Sequence, residues 1–541
     1  MRRHQHIAEL GPLLKDHGVS HVIICPGSRN APLTQLFTSH KGFHCHSIVD
    51  ERSAGYVALG MARHLREPVV VLTTSGTAVL NLAPAVAEAY HQQIPLLVIT
   101  ADRPEEKIAQ FNNQIIDQEA PFYAYTRGFY QVPLPVAHAE DLVRVIRQME
   151  SLFASALAFP PGPVHMNVPL EEPLYEILPP ALDAPARHAP VLENPDPVSD
   201  FGRVEVNTKI LVLVGMGQFA KDVKEQLSDL VHKSQAVVIA ENIANIPGDD
   251  FISKPELLLA AVDKDGREAL TPDLLITFGG QVVSKRLKLF LQGLPDLKHV
   301  EIDGDLVTSL ELLEKLVSVE ESPGFRNQFL ENWKHGQERV RLHLKEKMQS
   351  LEYGNLWVIN AILSAAPPES VIHLGNSSTI RYSQILPHRE DLRYYSNRGT
   401  SGIDGCVSAA VGAAMVSEQL HILLVGDLSF VYDSNALWNR KFPDKLKIVV
   451  LNDQGGGIFR LLNGPSEMEF FEEFSVTHHP ASPALLAQSF GRQAMHVGTQ
   501  AELTAVIDTF FTAGSPLSML DVGTAEQENS RIFKEFLDIK N

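Results

Sequence analysis

The chain has 541 residues, of which 44% are apolar and 21% charged, and its net charge is −19. This length predicts about three or four domains of a globular protein, and the negative charge argues against nucleic acid or an anionic membrane as a partner. No apolar run reaches the roughly 18 residues of a transmembrane helix. The start, Met1–His6, lacks the apolar core of a signal peptide, and three scattered cysteines exclude a disulfide framework, so we expect a cytoplasmic protein.

Residues 1–180 alternate short apolar runs with helical segments. His21–Cys25, Val69–Leu72 and Leu96–Ile99 are predicted strands, and the first ends at the turn Pro26–Ser28. Short buried strands separated by helices are typical of a parallel sheet. A Pro-rich segment, 181–208, follows and is predicted to be an extended linker.

Two further α/β units follow the linker. The central unit, 209–325, opens at the apolar run Lys209–Val214 and closes near Val300–Asp303. A polar helical connector, 326–350, leads to the last unit, 351–541. We therefore predict an α/β fold of three doubly wound, parallel-sheet domains.

The last unit carries two acidic residues at the ends of two predicted strands. Asp427 lies in Gly426–Phe430, and Asp453 follows the run Leu446–Leu451, with a predicted helix over 433–440 between them. Ligands bind at the carboxyl ends of parallel strands, and Mg²⁺ with a diphosphate prefers such oxygen ligands. The alternative is that both residues only cap helices.

The first and last units resemble each other. An ungapped superposition that places Val71 on Ile422 also places Val98 on Val449, and it brings Asp102 onto Asp453. Position 76, a glycine, then coincides with Asp427. Two related sheets could bind the two ends of one ligand; the alternative is a chance register between two doubly wound domains.

Four segments carry a resemblance to a known family. Cys25–Arg29, Asp50–Gly55, Thr100–Pro104 and Ser396–Gly405, together with the Gly-Asp motif, resemble the thiamine-diphosphate enzymes. Among these, the chain is most similar to the menaquinone-pathway synthases of 2-succinyl-5-enolpyruvyl-6-hydroxy-3-cyclohexene-1-carboxylate (SEPHCHC).

The resemblance implies a fold, a reaction and an assembly. The domains would be a pyrimidine-binding domain (1–180), a central Rossmann-like domain (209–325) and a diphosphate- and metal-binding domain (351–541). The enzyme would decarboxylate 2-oxoglutarate on thiamine diphosphate, with Mg²⁺ or Mn²⁺, and add the succinyl carbanion equivalent to isochorismate. Relatives of this kind act as homodimers or dimers of dimers with shared active sites.

The resemblance also assigns residues to the cofactor and the metal. Glu51 would face N1′ of the aminopyrimidine, and Gln114 and Arg29 would act with it at the reacting centre. The metal ligands would be Asp427, Asp453 and the carbonyl of Gly455. The remaining cofactor-binding residues would be Thr77, Ser401, Gly402, Gly426, Leu428 and Ser429.

Both substrates carry several carboxylates, so arginines are expected around them, since guanidinium groups bind carboxylates in bidentate geometry. The resemblance assigns Ser28, Arg29, Arg103, Lys285 and Arg286 to isochorismate. It assigns Ser377, Arg381 and Arg398 to the distal carboxylate of 2-oxoglutarate. It places Ile458, Phe459 and Leu462 in an apolar wall. Taken singly, each arginine is better explained as a surface charge than as a ligand. The motif context favours a ligand for Arg29, Arg381 and Arg398.

Two positions depart from the family pattern. Asp453 stands where the family usually has Asn, which adds a negative charge beside a diphosphate. Asp117 stands where some relatives carry Arg, so part of the anion recognition there is lost or moved.

Two other functions compete with this interpretation. Gly215–Ala220 follows a strand and fits the pattern G-x-G-x-x-A, and Glu241 ends the next strand, as in a dinucleotide-binding site. We interpret this as a retained fold without a nicotinamide or flavin cofactor. The second alternative is a non-enzymatic protein that only binds thiamine diphosphate, against which Glu51 argues.

Overall fold

The computed structural model describes residues 4–108, 113–181, 208–219, 221–234, 236–302, 328–461 and 467–539. Within these ranges the strands form three sheets, of six, four and six strands, and the paired strands run parallel. No helix in the same ranges has both the length and the hydropathy needed to cross a bilayer. The predicted α/β class with three parallel sheets is confirmed.

The strands are named β1 to β16 in chain order. The first sheet contains β1 His21–Ile24, β2 His44–Ser47, β3 Val69–Thr73, β4 Leu96–Asp102, β5 Phe129–Gln131 and β6 Val164–Pro169. The second contains β7 Ile210–Val214, β8 Val237–Ala240, β9 Leu274–Phe278 and β10 Lys298–Glu301. The third contains β11 Val371–Leu374, β12 Arg393–Tyr395, β13 His421–Gly426, β14 Leu446–Asn452, β15 Ala494–Val497 and β16 Met519–Gly523.

The first and third sheets have the same topology. Their strand orders are β2-β1-β3-β4-β6-β5 and β12-β11-β13-β14-β16-β15, which are identical once the strands of each sheet are counted from its first. The central strands β3, β4 and β14 are buried along their whole length, as expected for parallel strands covered on both faces. The shared strand order supports the predicted relationship between the two units.

The helices are named α1 to α19 in chain order. The first unit of sequence contributes α1 Gln5–Asp16, α2 Ala31–Ser39, α3 Glu51–Leu65, α4 Thr77–Leu80, α5 Ala83–His91, α6 Glu105–Ile108 and α7 Ala139–Leu157. The central part contributes α8 Lys221–Ser234, α9 Pro255–Ala260, α10 Lys264–Ala269, α11 Lys285–Gln292 and α12 Gln328–Lys347. The last part contributes α13 Asn355–Ala365, α14 Ser378–Ile385, α15 Cys406–Met415, α16 Asp427–Tyr432, α17 Pro483–Ser489, α18 Gln500–Phe511 and α19 Glu526–Leu537.

The chain divides into two compact units, neither of which is continuous in sequence. Unit 1 comprises Met1–Glu193, Gly399–Glu418 and Asp433–Leu446, and therefore contains the first sheet and α15. Unit 2 comprises Asn194–Arg398, Gln419–Tyr432 and Lys447–Asn541, and contains the second and third sheets. Of the predicted linker 181–208, only the two end residues are described.

Within unit 1, helices α3 and α15 cross with their main chains in contact. A Cβ atom built on Gly60 of α3 would lie 2.0 Å from the carbonyl oxygen of Ala409, and one on Gly412 of α15 would lie 2.0 Å from that of Val57. Glycine is required at both positions because a side chain of any size would collide with main-chain atoms. The small-residue stretches 54–60 and 405–410 of the sequence therefore lie in or beside a helix–helix contact.

The predicted helix between the two strand-end acids is wrong in position. The helix α16 covers Asp427–Tyr432, directly after β13, and residues 433–440 contain only a 3₁₀ turn, Ser434–Trp438. The polar side chains of this segment are used in tertiary hydrogen bonds instead. The helix α12 lies within the predicted connector 326–350, and residues 303–327 lie outside the described part of the chain.

Candidate functional site

The predicted metal ligand Asp427 is the first residue of α16 and is buried. Its Oδ1 accepts the N–H of Leu428 at 2.7 Å, and its Oδ2 accepts the N–H of Gly455 at 3.1 Å. Nε2 of His479, a residue that no sequence motif indicated, lies 3.3 Å from Oδ2 of Asp427. Burial raises the pKa of Asp427, and the hydrogen bond from Leu428 and the charge of His479 oppose that rise.

Asp453 is a second buried carboxylate of the same region. Its Oδ2 accepts hydrogen bonds from the side-chain amides of Asn355 and Asn529, both at 3.2 Å. Burial, followed by the charges of Asp427 and Glu526, raises the pKa of Asp453 to about 7. Two buried carboxylates, of which Asp427 raises the pKa of Asp453, favour a bound cation, because a cation would neutralise both.

The surroundings of these acids fit a small oxygen-coordinated cation and a diphosphate. Within the described ranges no three His, Cys, Asp or Glu side chains are arranged to hold a metal, so a cation here would rely on two carboxylates and main-chain oxygens. A Cβ atom on Gly426 would meet no other atom within 4 Å, which leaves open space beside the end of β13. Ser429 lies in the first turn of α16.

A cavity of about 800 Å³ in unit 2 is lined by cationic side chains. Three residues predicted to bind substrate, Lys285, Arg286 and Arg381, line it, together with Lys534. Among the described residues of the lining, Glu256 is the one carboxylate. The predicted apolar residue Ile458 also lines the cavity. Four cations against one carboxylate favour a ligand with more than one negative charge.

Two carboxylates, those of Glu256 and Glu241, hold the start of α11. No sequence motif assigned either of them to this site. Glu256 Oε2 accepts the N–H of Arg286 at 3.0 Å and the hydroxyl of Ser284 at 2.7 Å, and its Oε1 lies 3.1 Å from Arg286 Nε. Glu241 accepts the N–H groups of Val283 and of Ser284, the latter at 2.8 Å. These contacts fix the turn that presents Lys285 and Arg286.

Arg381 is a partly buried cation and Arg398 is a buried one. Nη1 of Arg381 donates to the carbonyl of Ser377 at 3.0 Å, and burial lowers the pKa of Arg381 while Glu256 opposes that shift. Nη1 of Arg398 donates to Oδ1 of Asn376 at 3.3 Å. Arg398 is 7% exposed, and its charge stabilises the ionised form of Glu241.

The structure does not bring all members of the predicted apolar wall into this cavity. Ile458 lines it together with Leu461, another residue of the same 3₁₀ turn, whereas Phe459 is 38% exposed and does not line it. Leu462 lies outside the described residues. Leu461 could have been found from its place in the same apolar run.

In unit 1, Glu51 is the first residue of α3. Asp50 caps this helix by accepting the N–H of Ser53 at 3.1 Å. Glu51 therefore lies in the first turn of a helix whose N-terminus is capped. Thr77 is exposed at the start of α4, and Gly76 before it has a φ of +86°, which favours glycine.

Arg29 and Arg103 lie close to each other in unit 1. Arg29 is buried, donates to the carbonyl of Leu170 at 3.2 Å and pairs with Glu172 at 3.1 Å. Nη1 of Arg103 donates to the carbonyl of Gln114 at 2.9 Å. Burial and the charge of Arg29 both lower the pKa of Arg103. Two adjacent guanidinium groups of this kind favour an anion beside them.

Other predicted residues of unit 1 are placed as follows. Ser28 is exposed next to Arg29. Ser401 and Gly402 lie in the loop before α15, where the buried carboxylate of Glu88 accepts the N–H groups of Gly399 and Thr400 at 2.7 and 2.6 Å. Glu88 was missed, although a lone acid on the apolar face of α5 is a detectable signal.

Three of the predicted site residues have left-handed backbone conformations. The φ angles of Gln114, Ser377 and Ser401 are 64°, 75° and 62°, and that of Gln454, beside Gly455, is 62°. Non-glycine residues in this region are strained by about 1–3 kcal/mol each and cluster at functional sites. Asp117 is exposed and its Oδ1 accepts the N–H of Glu119 at 2.9 Å.

The glycine pattern of the central unit is used in packing. A Cβ atom on Gly215 would lie 1.7 Å from the carbonyl oxygen of Gly280, and one on Gly217 would lie 2.3 Å from the ring of Phe219. Both carboxylate oxygens of Glu241 accept main-chain N–H groups, whereas a dinucleotide-binding acid must offer its oxygens to a ribose.

Comparisons with known proteins agree with these features. Residues 6–120 match the thiamine pyrophosphate enzyme N-terminal TPP binding domain, and residues 375–522 match the C-terminal TPP binding domain. The chain is 39% identical over 515 residues to the SEPHCHC synthase of Desulfotalea psychrophila, covering 91% of this chain and 93% of that protein. It is 34% identical to the synthase of Christiangramia forsetii and 33% identical to that of Flavobacterium johnsoniae, each with 96% of both chains covered.

Proposed function

The chain belongs to the family of SEPHCHC synthases among the thiamine pyrophosphate enzymes, and on that premise we propose that it performs the reaction that this family implies. It decarboxylates 2-oxoglutarate on thiamine diphosphate and adds the remaining four-carbon unit to isochorismate, in menaquinone biosynthesis. The observation that carries the proposal is the cavity of about 800 Å³ with four cationic side chains, because both substrates are polyanions.

The arginines of unit 2 are proposed to select the oxo acid. 2-Oxoglutarate loses one carboxylate as CO₂, so its distal carboxylate is the handle that persists through the reaction. Arg381, with Ser377 beneath it, and Arg398 are proposed to hold that group, since a guanidinium in a partly buried setting forms strong charge-assisted hydrogen bonds. Lys285 and Arg286 are proposed to contribute charge for isochorismate.

The adjacent guanidinium groups of unit 1 are proposed to bind the carboxylates of isochorismate. Burial is the main cause of the lowered pKa of Arg103, and the charge of Arg29 lowers it further. An anion that contacts both guanidinium groups relieves the repulsion between them. Ser28 is exposed beside them. Gln114 is anchored through its main chain by Arg103, which leaves its side-chain amide to a reacting group.

The cofactor is proposed to be thiamine diphosphate with Mg²⁺ or Mn²⁺. Asp427, Asp453 and Gly455 would hold the metal, Gly426, Leu428 and Ser429 the diphosphate, and Thr77, Ser401 and Gly402 other parts of the cofactor. When bound, thiamine diphosphate supplies the electron sink for decarboxylation. Glu51 would share a proton with N1′ of the pyrimidine and so help remove the proton from C2.

The active form is proposed to be a homodimer or a dimer of dimers, as the family resemblance implies. In this arrangement Glu51 of one chain and Asp427 of another serve one cofactor. Mixing two inactive variants, Glu51→Gln and Asp427→Ala, under conditions of subunit exchange would then restore part of the activity, because mixed dimers contain one site without either change. Exchange without recovery would count against a shared site.

The decisive experiment is incubation with 2-oxoglutarate, isochorismate, thiamine diphosphate and Mg²⁺. We expect loss of the isochorismate absorbance and a product with the mass of SEPHCHC, and much slower reaction when pyruvate replaces 2-oxoglutarate. Arg381→Gln should reduce the rate. Arg144→Gln serves as the matched control, because Arg144 is exposed and pairs with Asp141 on its own helix at 2.8 Å. Unchanged isochorismate in the complete mixture would refute the proposed function.

A further inference from the structure

The first turn of α3, which carries Glu51, is fastened on both sides of that residue. Asp50 accepts the side-chain N–H of Asn435 at 2.6 Å, and Nη2 of Arg52 lies 3.7 Å from Oδ1 of Asp433. The hydroxyl of Ser53 lies 2.9 Å from the hydroxyl of Ser408. All of these residues belong to unit 1.

The hydrogen bonds of Ser408 define a direction. Its main-chain N–H and its hydroxyl both lie 2.6 Å from the carboxylate oxygens of Asp433. Because a serine hydroxyl carries one proton, donation to Asp433 leaves the Ser408 oxygen as acceptor for the hydroxyl of Ser53. The chain therefore runs from Ser53 through Ser408 to Asp433.

Asp433 is fully buried, so the charge of its carboxylate must be stabilised by neighbouring groups. Burial raises the pKa of Asp433 to about 7, while the bonds from Ser408 and the charge of Arg52 lower it and Asp404 raises it. A buried carboxylate is costly unless it is hydrogen-bonded and paired. Asp433 contacts Arg52 directly and Ser53 through Ser408, and both residues lie on the C-terminal side of Glu51. On the N-terminal side, Asn435 donates a hydrogen bond to Asp50.

We propose that Asp433 is a positioning residue for Glu51: through Arg52 and the Ser53–Ser408 chain it fixes the helix turn that aims the Glu51 carboxylate. The inference rests on the proposed function of Glu51 toward the cofactor pyrimidine. Asp433 touches neither cofactor nor substrate and acts on the reaction only by holding that turn.

The first test is Asp433→Asn, which keeps the shape and removes the charge. The oxygen of the new amide can still accept the main-chain N–H of Ser408, so its NH₂ group must donate to the Ser408 hydroxyl. The Ser408 hydroxyl then donates to Ser53, and the direction of the chain is reversed. With thiamine diphosphate and Mg²⁺ bound, we expect hydrogen–deuterium exchange at C2 to slow about tenfold or more. The dissociation constant of the cofactor should stay within about threefold, because no proposed cofactor contact is altered.

The second test is a double-mutant cycle with Glu51→Gln. If Asp433 acts through Glu51, Asp433→Asn should slow C2 exchange in the wild-type background and have no further effect when Glu51 is already Gln. A merely structural residue would give the same fold-reduction in both backgrounds. That multiplicative result would overturn the proposal.

Two further variants keep the test decisive. Ser53→Ala removes the donor at the other end of the chain while Ala favours the helix, so it should reproduce the slower exchange even where Asp433→Asn does not fold. Glu9→Gln also removes a buried carboxylate, one that accepts the side-chain amide of Gln5 at 2.9 Å, but its helix, α1, carries no proposed site residue. It should lower the melting temperature and leave C2 exchange unchanged.

The outcomes separate this inference from the proposed function. If the wild-type protein binds thiamine diphosphate without accelerating C2 exchange over the free cofactor, the role of Glu51 fails and the inference fails with it. If the wild-type protein accelerates exchange and both Asp433→Asn and Ser53→Ala exchange at the wild-type rate, only the inference fails.

Discussion

The crossing of α3 and α15 predicts a large effect from one methyl group. In Gly412→Ala the new Cβ atom would lie 2.0 Å from the carbonyl oxygen of Val57 and 2.8 Å from its carbonyl carbon. Carbon atoms in contact lie about 3.5–4.0 Å apart. Main-chain atoms of a helix cannot rotate away, so the two helices must separate by about 1 Å or more.

The expected cost follows from this separation. A radial gap of about 0.5–1 Å loses a quarter to a half of each van der Waals contact along the crossing, and overpacked cores lose about 1–3 kcal/mol. We expect Gly412→Ala to fall at the upper end, about 3 kcal/mol. For domains of 150–250 residues this corresponds to a melting temperature lower by about 6–12 °C, measurable by differential scanning fluorimetry.

The control is Gly498→Ala, just before α18. The described atom nearest to a Cβ there is Nε2 of His496, at 3.7 Å, which is an ordinary van der Waals contact. Since replacing Gly by Ala at a compatible main-chain conformation stabilises a protein by about 0.4–1 kcal/mol, this variant should melt at the wild-type temperature or above it. Equal melting temperatures for Gly412→Ala and Gly498→Ala would refute the reasoning.

Three further predictions concern the site and its support. Glu51→Gln should bind the cofactor but slow C2 exchange by about 10²-fold or more; an unchanged rate would remove Glu51 from the mechanism. Arg398→Ala should raise the KM for 2-oxoglutarate or lower kcat and narrow the preference over pyruvate, because breaking a buried charge pair costs about 3–5 kcal/mol; equal damage toward isochorismate would contradict a role in oxo-acid binding. Burial raises the pKa of Asp433 to about 7, against about 3.9 unfolded, so the native state binds this proton more tightly and loses stability as pH rises from about 4 to 7. Asp433→Asn places a neutral amide beside Arg52 and Asp404. The melting temperature of this variant minus that of the wild type should therefore increase from about pH 4 to pH 7, and a difference that stays constant would contradict the assignment of the raised pKa to Asp433.

Much of the fold could be predicted because its central strands are buried on both faces. The apolar runs at Val69–Leu72 and Leu96–Ile99 lie within β3 and β4, since such runs have few other stable arrangements. The clustering of Lys285, Arg286 and Arg381 around one cavity is likewise consistent with the resemblance. Each apolar run, and each motif that carries one of these cations, can be recognised within a short stretch of sequence.

The tertiary partners could not be predicted in the same way. Glu88 accepts hydrogen bonds from Gly399 and Thr400, more than 300 positions away, and no local pattern contains that pairing. The predicted helix over 433–440 is wrong because Asp433 and Asn435 bond to residues around α3, which competes with helix formation. Where a polar residue bonds to a partner far away in the sequence, its local secondary-structure preference does not predict its conformation.

The discontinuity of unit 1 has a consequence for how the protein is made. Its sheet is complete in sequence by Pro169, but the unit also requires Gly399–Glu418 and Asp433–Leu446. At about 5–20 residues per second of synthesis, the ribosome needs roughly 13–50 s to add the intervening 250 or so residues. Throughout that interval the glycine-lined face of α3 has no α15 to cover it, so the nascent chain exposes an apolar helix surface to chaperones and to neighbouring chains.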